Sequence, residues 1–287
     1  MNKNRAARLV GEAQRLVGAR STPRRGRGLS IIASSSIVQA NMSQRPEITI
    51  TFAQSLDGCI ATSTGDSRWI SSDETLRLAH ELRSEADAVL VGAGTVKADN
   101  PRLTCRISGH TSPLRVILDG RLSLPADSLV ITSAHETPTY VITSDRALKK
   151  QENKVLQLRK HGVRLLTLPG GDGNGGDSDK LSNGGGSGSG ANNGNNPDEL
   201  SLHSVLELLS AEGIQRLLIE GGSGIITSFL RAGLFERLVL VTAPLIIGAG
   251  IPAVGDMGVR KLTSALKLRP ATPRLLGPDL VWELYRE

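Results

Sequence analysis

A glycine-rich turn lies between two apolar runs, in the order Glu220-Gly221-Gly222-Ser223-Gly224. The run before it, 216–219, is typical of a strand, and Ile225–Leu230 opens a helix. Glycines let backbone N–H groups approach a phosphate, and a helix N-terminus favours an anion. The glycines do not complete a G-x-G-x-x-G pattern, which disfavours a Rossmann dinucleotide site. The turn is therefore interpreted either as a phosphate site or as a tight strand-to-helix connection.

Glu220 ends the apolar run Leu217-Leu218-Ile219, at the carboxyl end of the predicted strand. Ligands of open α/β sheets bind at that edge. A carboxylate placed there holds a ligand amine or hydroxyl, or transfers a proton. The alternative is a solvated charge at the end of a strand.

Three polar turns lie close together between Thr51 and Arg106. They are Ala53–Gly58, Trp69–Ser71 and Asp99–Thr104, and apolar runs separate them. The fold should bring these turns together, which favours a site for a polar, phosphorylated small molecule over a bare scaffold. Trp69 is interpreted either as one wall of a pocket for a flat ring or as part of the core.

Arginines accompany these turns. Arg83 follows Leu76 by seven residues and Ala79 by four, so the three share one helix face. An arginine on a partly apolar face needs an anionic partner, either a ligand phosphate or an internal carboxylate such as Asp87. Arg102 and Arg106 follow the Asp99 turn and either bind phosphate bidentately or are solvated.

The elements that must position these residues alternate between strand and helix. Strands are predicted at 48–53, 88–91, 114–118, 129–132, 140–143, 163–168, 216–219, 238–242 and 280–285, and helices at 72–84, 202–209 and 225–230. Ser71 and Glu74 have the spacing of a capping box at the start of the first helix. This order predicts an α/β fold with a mostly parallel sheet flanked by helices.

Composition excludes several classes of protein. Of the formal net charge of +6, residues 1–47 supply nine Lys or Arg against two Asp or Glu, so the remainder is nearly neutral and nucleic-acid binding is not expected. The sequence contains no run of 18 apolar residues, so a membrane span is not expected. Two cysteines, Cys59 and Cys105, favour a reducing, cytoplasmic location, and no metal-ligand spacing, zinc-deaminase or Walker motif appears.

Two segments depart from the globular pattern. Residues 1–46 are rich in Arg and Ser and are predicted to be a disordered basic extension, with an organellar targeting sequence as the alternative. Gly and Asn fill 17 of the 28 positions from 170 to 197, so 170–198 is predicted to be a flexible insertion in one domain, 47–287.

Taken together, these motifs resemble the riboflavin-biosynthesis pyrimidine reductases, both the reductase half of the bacterial deaminase-reductase and the stand-alone archaeal and fungal enzymes. The similarity runs from about Ile48 to Glu287 except for the insertion. The matching motifs are Ala53–Gly58, Trp69–Ser71, Leu82-Arg83, Asp87–Gly92, Thr95–Arg106, Arg115–Asp119, Glu220–Gly222 and Phe229-Leu230. Several dispersed motifs in the correct order are more specific than any one of them.

The resemblance implies a dihydrofolate-reductase-like fold, an NADPH cofactor, a homodimer and a phosphorylated ribosylaminopyrimidine substrate. The positions it implies for the cofactor are Ala53, Trp69, Thr95, Asp99, Gly120, Gly222, Ser223, Gly224, Ile225, Ile226, Thr227 and Ser228. Those for the substrate are Ser67, Arg83, Leu103, Arg106 and Glu220, and Glu220 and Asp99 are the candidate catalytic side chains. Gly120 stands where relatives have Ser or Thr, so only its backbone could serve, and Cys59 stands where relatives commonly have Lys or Arg.

The implied reaction reduces the ribosyl group to ribityl by hydride transfer to C1′, with Arg83 and Arg106 expected to clamp the substrate phosphate. The 2,5-diamino substrate, before deamination, is favoured over the deaminated 5-amino uracil compound. Three alternatives stay open: a dihydrofolate-reductase-like enzyme acting on another pterin or pyrimidine, an NADP-binding regulatory protein, and a nucleic-acid binder that uses the N-terminal arginines.

Overall fold

The computed structural model describes residues 45–68, 70–169 and 198–287. Three parts of the chain lie outside the described residues: 1–44, Trp69 and 170–197. They include nearly all of the predicted basic extension and all of the predicted insertion except Asp198. The helices are α1 (Asp73–Glu85), α2 (Ala93–Asp99), α3 (Leu129–Thr132), α4 (Asp145–Lys150), α5 (Glu152–Lys160), α6 (Leu202–Ala211) and α7 (Ser223–Ala232), with a short 3₁₀ turn at Leu262–Ser264. The strands are β1 (Glu47–Ser55), β2 (Cys59–Ala61), β3 (Ala88–Gly92), β4 (Leu114–Leu118), β5 (Thr139–Ser144), β6 (Arg164–Leu168), β7 (Arg216–Glu220), β8 (Arg237–Ala243), β9 (Ile251–Pro252), β10 (Leu268–Pro270), β11 (Arg274–Leu276) and β12 (Asp279–Arg286).

One large sheet organises the described chain, in the order β10-β12-β8-β1-β7-β3-β4-β5-β6, with β11 also pairing to β12. All neighbouring pairs from β8 to β6 are parallel, and β12 runs antiparallel to β8. The parallel strands are buried on both faces, so they carry apolar runs such as Val89-Leu90-Val91. The predicted α/β fold with a mostly parallel sheet is confirmed.

Alternation along the central strand β1 divides the core in two. Ile48, Ile50 and Phe52 pack with α6 and α7 on one face of the sheet. The opposite face packs against α1 through Leu78 and Leu82. Because side chains alternate along a strand, Thr51 and Ala53 share this second face, and they end at the carboxyl edge of the sheet.

The strand predicted at 129–132 is wrong, because these residues form the short helix α3. The run Leu-Val-Ile-Thr has high β-propensity, but it pairs with no strand of the described ranges, and tertiary contacts decide its conformation. Val130 and Ile131 are fully buried. The guanidinium of Arg115 donates to Oγ and the carbonyl of Ser133, at 2.9 and 3.0 Å, which fixes the end of the helix.

The capping box predicted from Ser71 and Glu74 is also wrong by one residue. Ser72 is the N-cap and its side chain accepts from the Thr75 N–H. The buried carboxylate of Asp279, from β12, accepts hydrogen bonds from the N–H and Oγ of Ser72 and from Thr75 Oγ1 at 2.7–2.8 Å. A distant carboxylate therefore supplies the negative charge that favours this helix start.

The loop after β1 explains the second half of the Ala53–Gly58 motif. The Asp57 carboxylate accepts from Ser55 Oγ at 2.5 Å and from the N–H groups of Ile247 and Gly248 at 3.1 and 2.7 Å. Gly58 has φ +82°, a conformation that favours glycine. These contacts tie the β1 loop to the segment after β8, beside the small sheet formed by β2 and β9.

We expect acid to open this loop. The hydrogen bonds from Ser55, then from Gly248 and Ile247, lower the pKa of Asp57 from 3.8 to about 2. Because the folded pKa is the lower one, the stabilisation is complete above pH 3.8 and is lost as the pH falls towards 2. Hydrogen exchange at the Gly248 amide should therefore accelerate in Asp57→Asn at neutral pH, and the wild type should approach the variant in acid. Equal protection of this amide in both proteins at neutral pH would contradict the assignment.

Candidate active site

A cleft of about 410 Å³ opens at the carboxyl edge of β1, β3 and β7. It is bounded by the ends of these strands, by one face of α1 and by the loop that precedes α1. Eight of the residues proposed from the sequence line it: Ala53, Ser67, Arg83, Thr95, Asp99, Leu103, Glu220 and Gly222. Residues of the three polar turns therefore line one cleft, as the sequence predicted, and they share it with the glycine turn after Glu220.

The predicted face of α1 forms one wall. Leu76, Ala79 and Arg83 all line the cleft, as their spacing requires. Leu78 and Leu82 lie one position away on the helix and are buried against the sheet. The helix thus presents a mostly apolar wall with a single guanidinium near its C-terminal end.

The partner of that guanidinium is Glu220. Nε and Nη2 of Arg83 lie 2.6 Å from Oε1 and Oε2 of Glu220, a bidentate pair whose side chains are only 15% and 14% exposed. Burial alone lowers the pKa of Arg83, but the charge of Glu220 and its hydrogen bonds, together with a smaller contribution from Cys105, raise the pKa above its usual value. The local partner considered from the sequence, Asp87, instead pairs with Arg216 at 2.8 Å.

The geometry leaves Glu220 able to accept hydrogen bonds from a ligand. Each carboxylate oxygen uses one lone pair on Arg83 and keeps another for a ligand. A carboxylate held by a charged, bidentate donor is a strong acceptor of hydrogen bonds from hydroxyl or amine groups. Arg83 also donates from Nη1 to the carbonyl of Thr104 at 3.1 Å, so it joins strand β7 to the loop after α2.

The second wall combines the glycine turn with Thr95 of α2. Among the described residues, Thr95 Oγ1 is buried without a hydrogen-bond partner. A Cβ atom on Gly222 would lie 2.7 Å from this oxygen, and Gly222 has φ +82°, so glycine keeps this space open. The α7 N-terminus has no side-chain cap bond, and the first N–H groups of a helix have no acceptor within it. A free hydroxyl beside free N–H groups suits the phosphates of a dinucleotide.

The remaining positions proposed for the cofactor differ in access. The side chains of Ile225, Ile226, Thr227 and Ser228 are buried. The Thr227 hydroxyl donates to the Ser223 carbonyl at 2.6 Å and accepts from the Gly255 N–H at 2.7 Å. Only the first turn of α7 therefore presents groups to a ligand.

Gly120 follows β4 and does not line the cleft. Its carbonyl accepts hydrogen bonds from the N–H and Oγ of Ser144, at 3.2 and 2.8 Å. A Cβ atom on Gly120 would collide with the backbone carbonyl of Asp198. Glycine at this position is thus explained by the close approach of Asp198.

Ser67 and Asp99 meet across the mouth of the cleft, where Ser67 Oγ donates to Asp99 Oδ1 at 2.9 Å. Arg106 is exposed outside the cleft lining, and its guanidinium has no partner within the described part of the chain. Leu103 is buried, with φ +53°. Trp69 lies outside the described residues, so its position in the loop stays a prediction.

Two residues at or beside the cleft were not among the proposed site residues, and one of them, His80, was interpreted from the sequence as a helix-surface residue. Arg68 lines the cleft, where only its neighbours Ser67 and Trp69 were proposed. His80 contacts the loop that carries Arg106, through Nδ1. Its spacing of three residues from Arg83 was the available signal, because such residues are neighbours on a helix.

No helix in the described ranges is long and apolar enough to cross a bilayer.

Comparison with known proteins places the chain in a family. Residues 46–282 match the model of the RibD C-terminal domain. The riboflavin biosynthesis protein RibD of Aquifex aeolicus is 38% identical over 239 residues, 83% of this chain and 57% of that protein. The 2,5-diamino-6-ribosylamino-4(3H)-pyrimidinone 5′-phosphate reductase of Methanothermobacter thermautotrophicus is 32% identical over 244 residues, 83% of this chain and 97% of that protein.

The fold comparison agrees. The crystal structure of the deaminase/reductase of Thermotoga maritima matches with a TM-score of 0.63 and 27% identity, over 85% of this chain and 57% of that one. The chain thus spans a little over half the length of the RibD relatives, and nearly the whole of the archaeal reductase. The resemblance inferred from the motifs and the α/β fold with a mostly parallel sheet are confirmed. The chain belongs to the RibD C-terminal domain family.

Proposed function

We propose that this protein is an NADPH-dependent reductase that converts the ribosyl group of a ribosylaminopyrimidinone 5′-phosphate into a ribityl group. The observation that carries the proposal is one cleft that contains two chemically different groups of residues. One is the mostly buried carboxylate–guanidinium pair of Glu220 and Arg83, and the other is the open glycine turn beside Thr95, which follows Glu220 directly in the chain. The first suits a hydroxyl- and amine-rich substrate and the second suits the phosphates of a dinucleotide.

The residues that would hold the cofactor are Ala53, Trp69, Thr95, Asp99 and the first turn of α7, from Gly222 to Ile225. A bound reduced nicotinamide supplies a hydride, which is the difficult part of the chemistry. The chain's own contribution is orientation. Thr95 Oγ1 and the first N–H groups of α7 would hold the phosphates, and the hydrogen bond between Ser67 and Asp99 joins the loop before α1 to α2 beside the cleft.

Binding of the substrate is organised by Glu220. In the ring-opened form of the ribosyl group, C1′ is the carbon of a C=N bond. This carbon would accept the hydride and the nitrogen would accept a proton from solvent, which gives the ribitylamino product. Glu220 accepts hydrogen bonds from the sugar hydroxyls or the pyrimidine amine and so holds this carbon in place. Arg83 keeps the carboxylate in position, and the free guanidinium of Arg106 binds the 5′-phosphate.

The 2,5-diamino compound is the proposed substrate, and the deaminated uracil compound is the alternative. Support comes from the archaeal relative, which is named for the 2,5-diamino compound and which this chain matches over nearly its full length. The test offers both pyrimidines and dihydrofolate with NADPH or NADH and compares kcat/KM. A higher kcat/KM for the uracil compound would reverse the preference, and a higher one for dihydrofolate would replace the proposed substrate class. Tight NADPH binding without oxidation of any of them would favour a regulatory protein.

The glycine turn gives a direct test of cofactor binding. Gly222→Ala places a Cβ atom 2.7 Å from Thr95 Oγ1, so we expect the Kd for NADPH to rise at least about tenfold. Gly213→Ala is the matched control, because Gly213 also has positive φ (+84°) but has open space around it and is remote from the cleft. Binding is measured by calorimetry. An unchanged Kd for Gly222→Ala, or an equal rise in both variants, would contradict the placement of the phosphates.

The homodimer is proposed from the exposed apolar side chains of the C-terminal part. Six of the nine exposed large apolar residues in the described chain lie between 246 and 275: Ile246, Ile251, Val259, Leu262, Leu266 and Leu275. Apolar surface concentrated in this way is typical of an interface. Sedimentation equilibrium decides between a dimer, which supports the proposal, and a monomer at all concentrations, which contradicts it.

A further inference from the structure

His80 lies on α1 one turn before Arg83, directly beneath the segment Thr104-Cys105-Arg106. Its Nδ1 atom lies 3.1 Å from the Thr104 carbonyl oxygen and 3.3 Å from the Arg106 backbone nitrogen. The thiol of Cys105 donates to the His80 carbonyl at 3.4 Å. Three successive residues of the loop therefore contact one histidine.

The two contacts of Nδ1 exclude each other. In a neutral imidazole one nitrogen donates and the other accepts. With the proton on Nε2, Nδ1 accepts the N–H of Arg106. With a proton on Nδ1, as in imidazolium, it can only donate to the Thr104 carbonyl, and the Arg106 N–H loses its acceptor. The Thr104 carbonyl already accepts from Arg83, so the neutral ring with Nε2–H satisfies more groups.

The surrounding charges favour the same form. His80 is partly buried, and Arg83 on its own helix and Arg106 on the loop are its cationic neighbours. The pKa of His80 is lowered by burial first and then by the charges of Arg83 and Arg106. The hydrogen bond to the Thr104 carbonyl and the carboxylate of Glu220 on β7 raise this pKa, but by less. The remaining nearby groups are the thiol of Cys105 and, one turn earlier on α1, Arg77, whose charge is paired with Glu81.

We propose that His80 is a positioning residue: its neutral imidazole fixes the backbone of Arg106 and so orients the free guanidinium towards the phosphate of the substrate. Protonation of His80 exchanges the Arg106 contact for one to Thr104 and so releases the backbone that carries the guanidinium. The added positive charge acts in the opposite direction, so weaker binding in acid reports the lost contact. Binding of the phosphorylated substrate should therefore weaken in acid through this histidine. The inference rests on the proposed function for the identity of the substrate, but the tautomer and the loop contact do not depend on it.

Two substitutions test the kinetic consequence. His80→Leu removes the acceptor, so KM for the phosphorylated pyrimidine should rise about tenfold while kcat changes by less than about twofold. His80→Asn keeps an acceptor near the position of Nδ1 but cannot be protonated. It should restore KM and should lack the histidine-dependent part of the rise in KM between about pH 7.5 and about pH 5.5. His110→Asn, an exposed histidine in the following segment, is the control and should match the wild type.

The titration of the phosphate itself is common to all variants, so the comparison isolates the histidine. A wild-type KM in His80→Leu, or the same acid-dependent rise in His80→Asn as in the wild type, would overturn the proposal.

A second measurement is independent of catalysis. Nitrogen-15 spectra of the imidazole, assigned by comparison with His80→Asn, should show the Nε2–H tautomer at neutral pH, and the Arg106 amide resonance should shift as His80 titrates. A ring protonated on Nδ1 at neutral pH, or an Arg106 amide that does not respond, would overturn the positioning role. If no pyrimidine is reduced, the proposed function fails, and these spectra still decide the role of His80.

Discussion

Replacing Glu220 with glutamine lowers kcat/KM for the ribosylaminopyrimidine phosphate by about 100-fold or more, the largest effect on activity that we expect. Glutamine keeps the shape of the side chain but presents an NH₂ group to one arm of the Arg83 fork. One of the two 2.6 Å contacts then joins two donors, and the guanidinium loses its counter-charge in a site where both side chains are nearly buried. One of the two oxygens that should accept hydrogen bonds from the substrate's hydroxyl or amine groups is lost at the same time.

The control for this substitution is Glu207→Gln, on the exposed side of α6, which should leave kcat/KM unchanged. The Kd for NADPH should stay within about threefold of the wild type in Glu220→Gln, because the proposal assigns Glu220 to the substrate and assigns the cofactor phosphates to Thr95 and the N-terminus of α7. Steady-state kinetics and calorimetry on the same preparations separate the two effects. A Glu220→Gln variant with wild-type kcat/KM would remove Glu220 from the catalytic site.

Replacing Arg115 with methionine should cause the largest loss of stability, about 3 kcal/mol in the free energy of unfolding. Arg115 is fully buried, and burial lowers its pKa to about 10. Its guanidinium donates to the carbonyls of Arg102, Ser133 and Thr137 and to the hydroxyls of Ser133 and Thr139, at 2.8–3.2 Å. Methionine fills much of the volume and removes a buried charge, but it leaves these acceptors without donors, and that cost is the larger one.

Urea unfolding and the thermal midpoint measure this effect, and the midpoint should fall by roughly 6–12 °C. Arg146→Met on α4 is the matched control, because Arg146 is exposed, and it should change the free energy of unfolding by less than about 0.5 kcal/mol. The loop that includes Leu103 and Arg106 follows Arg102, so KM should also rise in Arg115→Met. A variant as stable as the wild type would show that the bonds to the carbonyls only offset the cost of burying the charge.

Local periodicity predicted the parts of the fold that local sequence controls. The alternation of β1, the apolar runs of β3 and β7, and the face shared by Leu76, Ala79 and Arg83 are all as expected. The turn after Glu220 was also recognisable, because a positive φ at Gly222 requires the residue type that the sequence shows.

Pairings between distant segments could not be predicted in this way. Glu220 is 137 positions from Arg83, while the nearby candidate Asp87 pairs with Arg216, 129 positions away. The conformation of 129–132 depends on contacts from Arg115, which lies on strand β4 and is not among the neighbouring residues from which local periodicity is judged. Helix α2, which positions Thr95 and Asp99, spans only Ala93–Asp99 and is too short to establish a helical period.

The transfer of deuterium from cofactor to product tests the central claim most directly. NADPH labelled at the transferable position of the nicotinamide is incubated with the protein and the 2,5-diamino ribosylaminopyrimidinone 5′-phosphate, and the product is analysed by mass spectrometry. The proposed reaction predicts a ribityl product that carries one deuterium at C1′, formed in step with NADPH oxidation. NADPH oxidation without deuterium in the product, or no oxidation with either pyrimidine, would contradict the account.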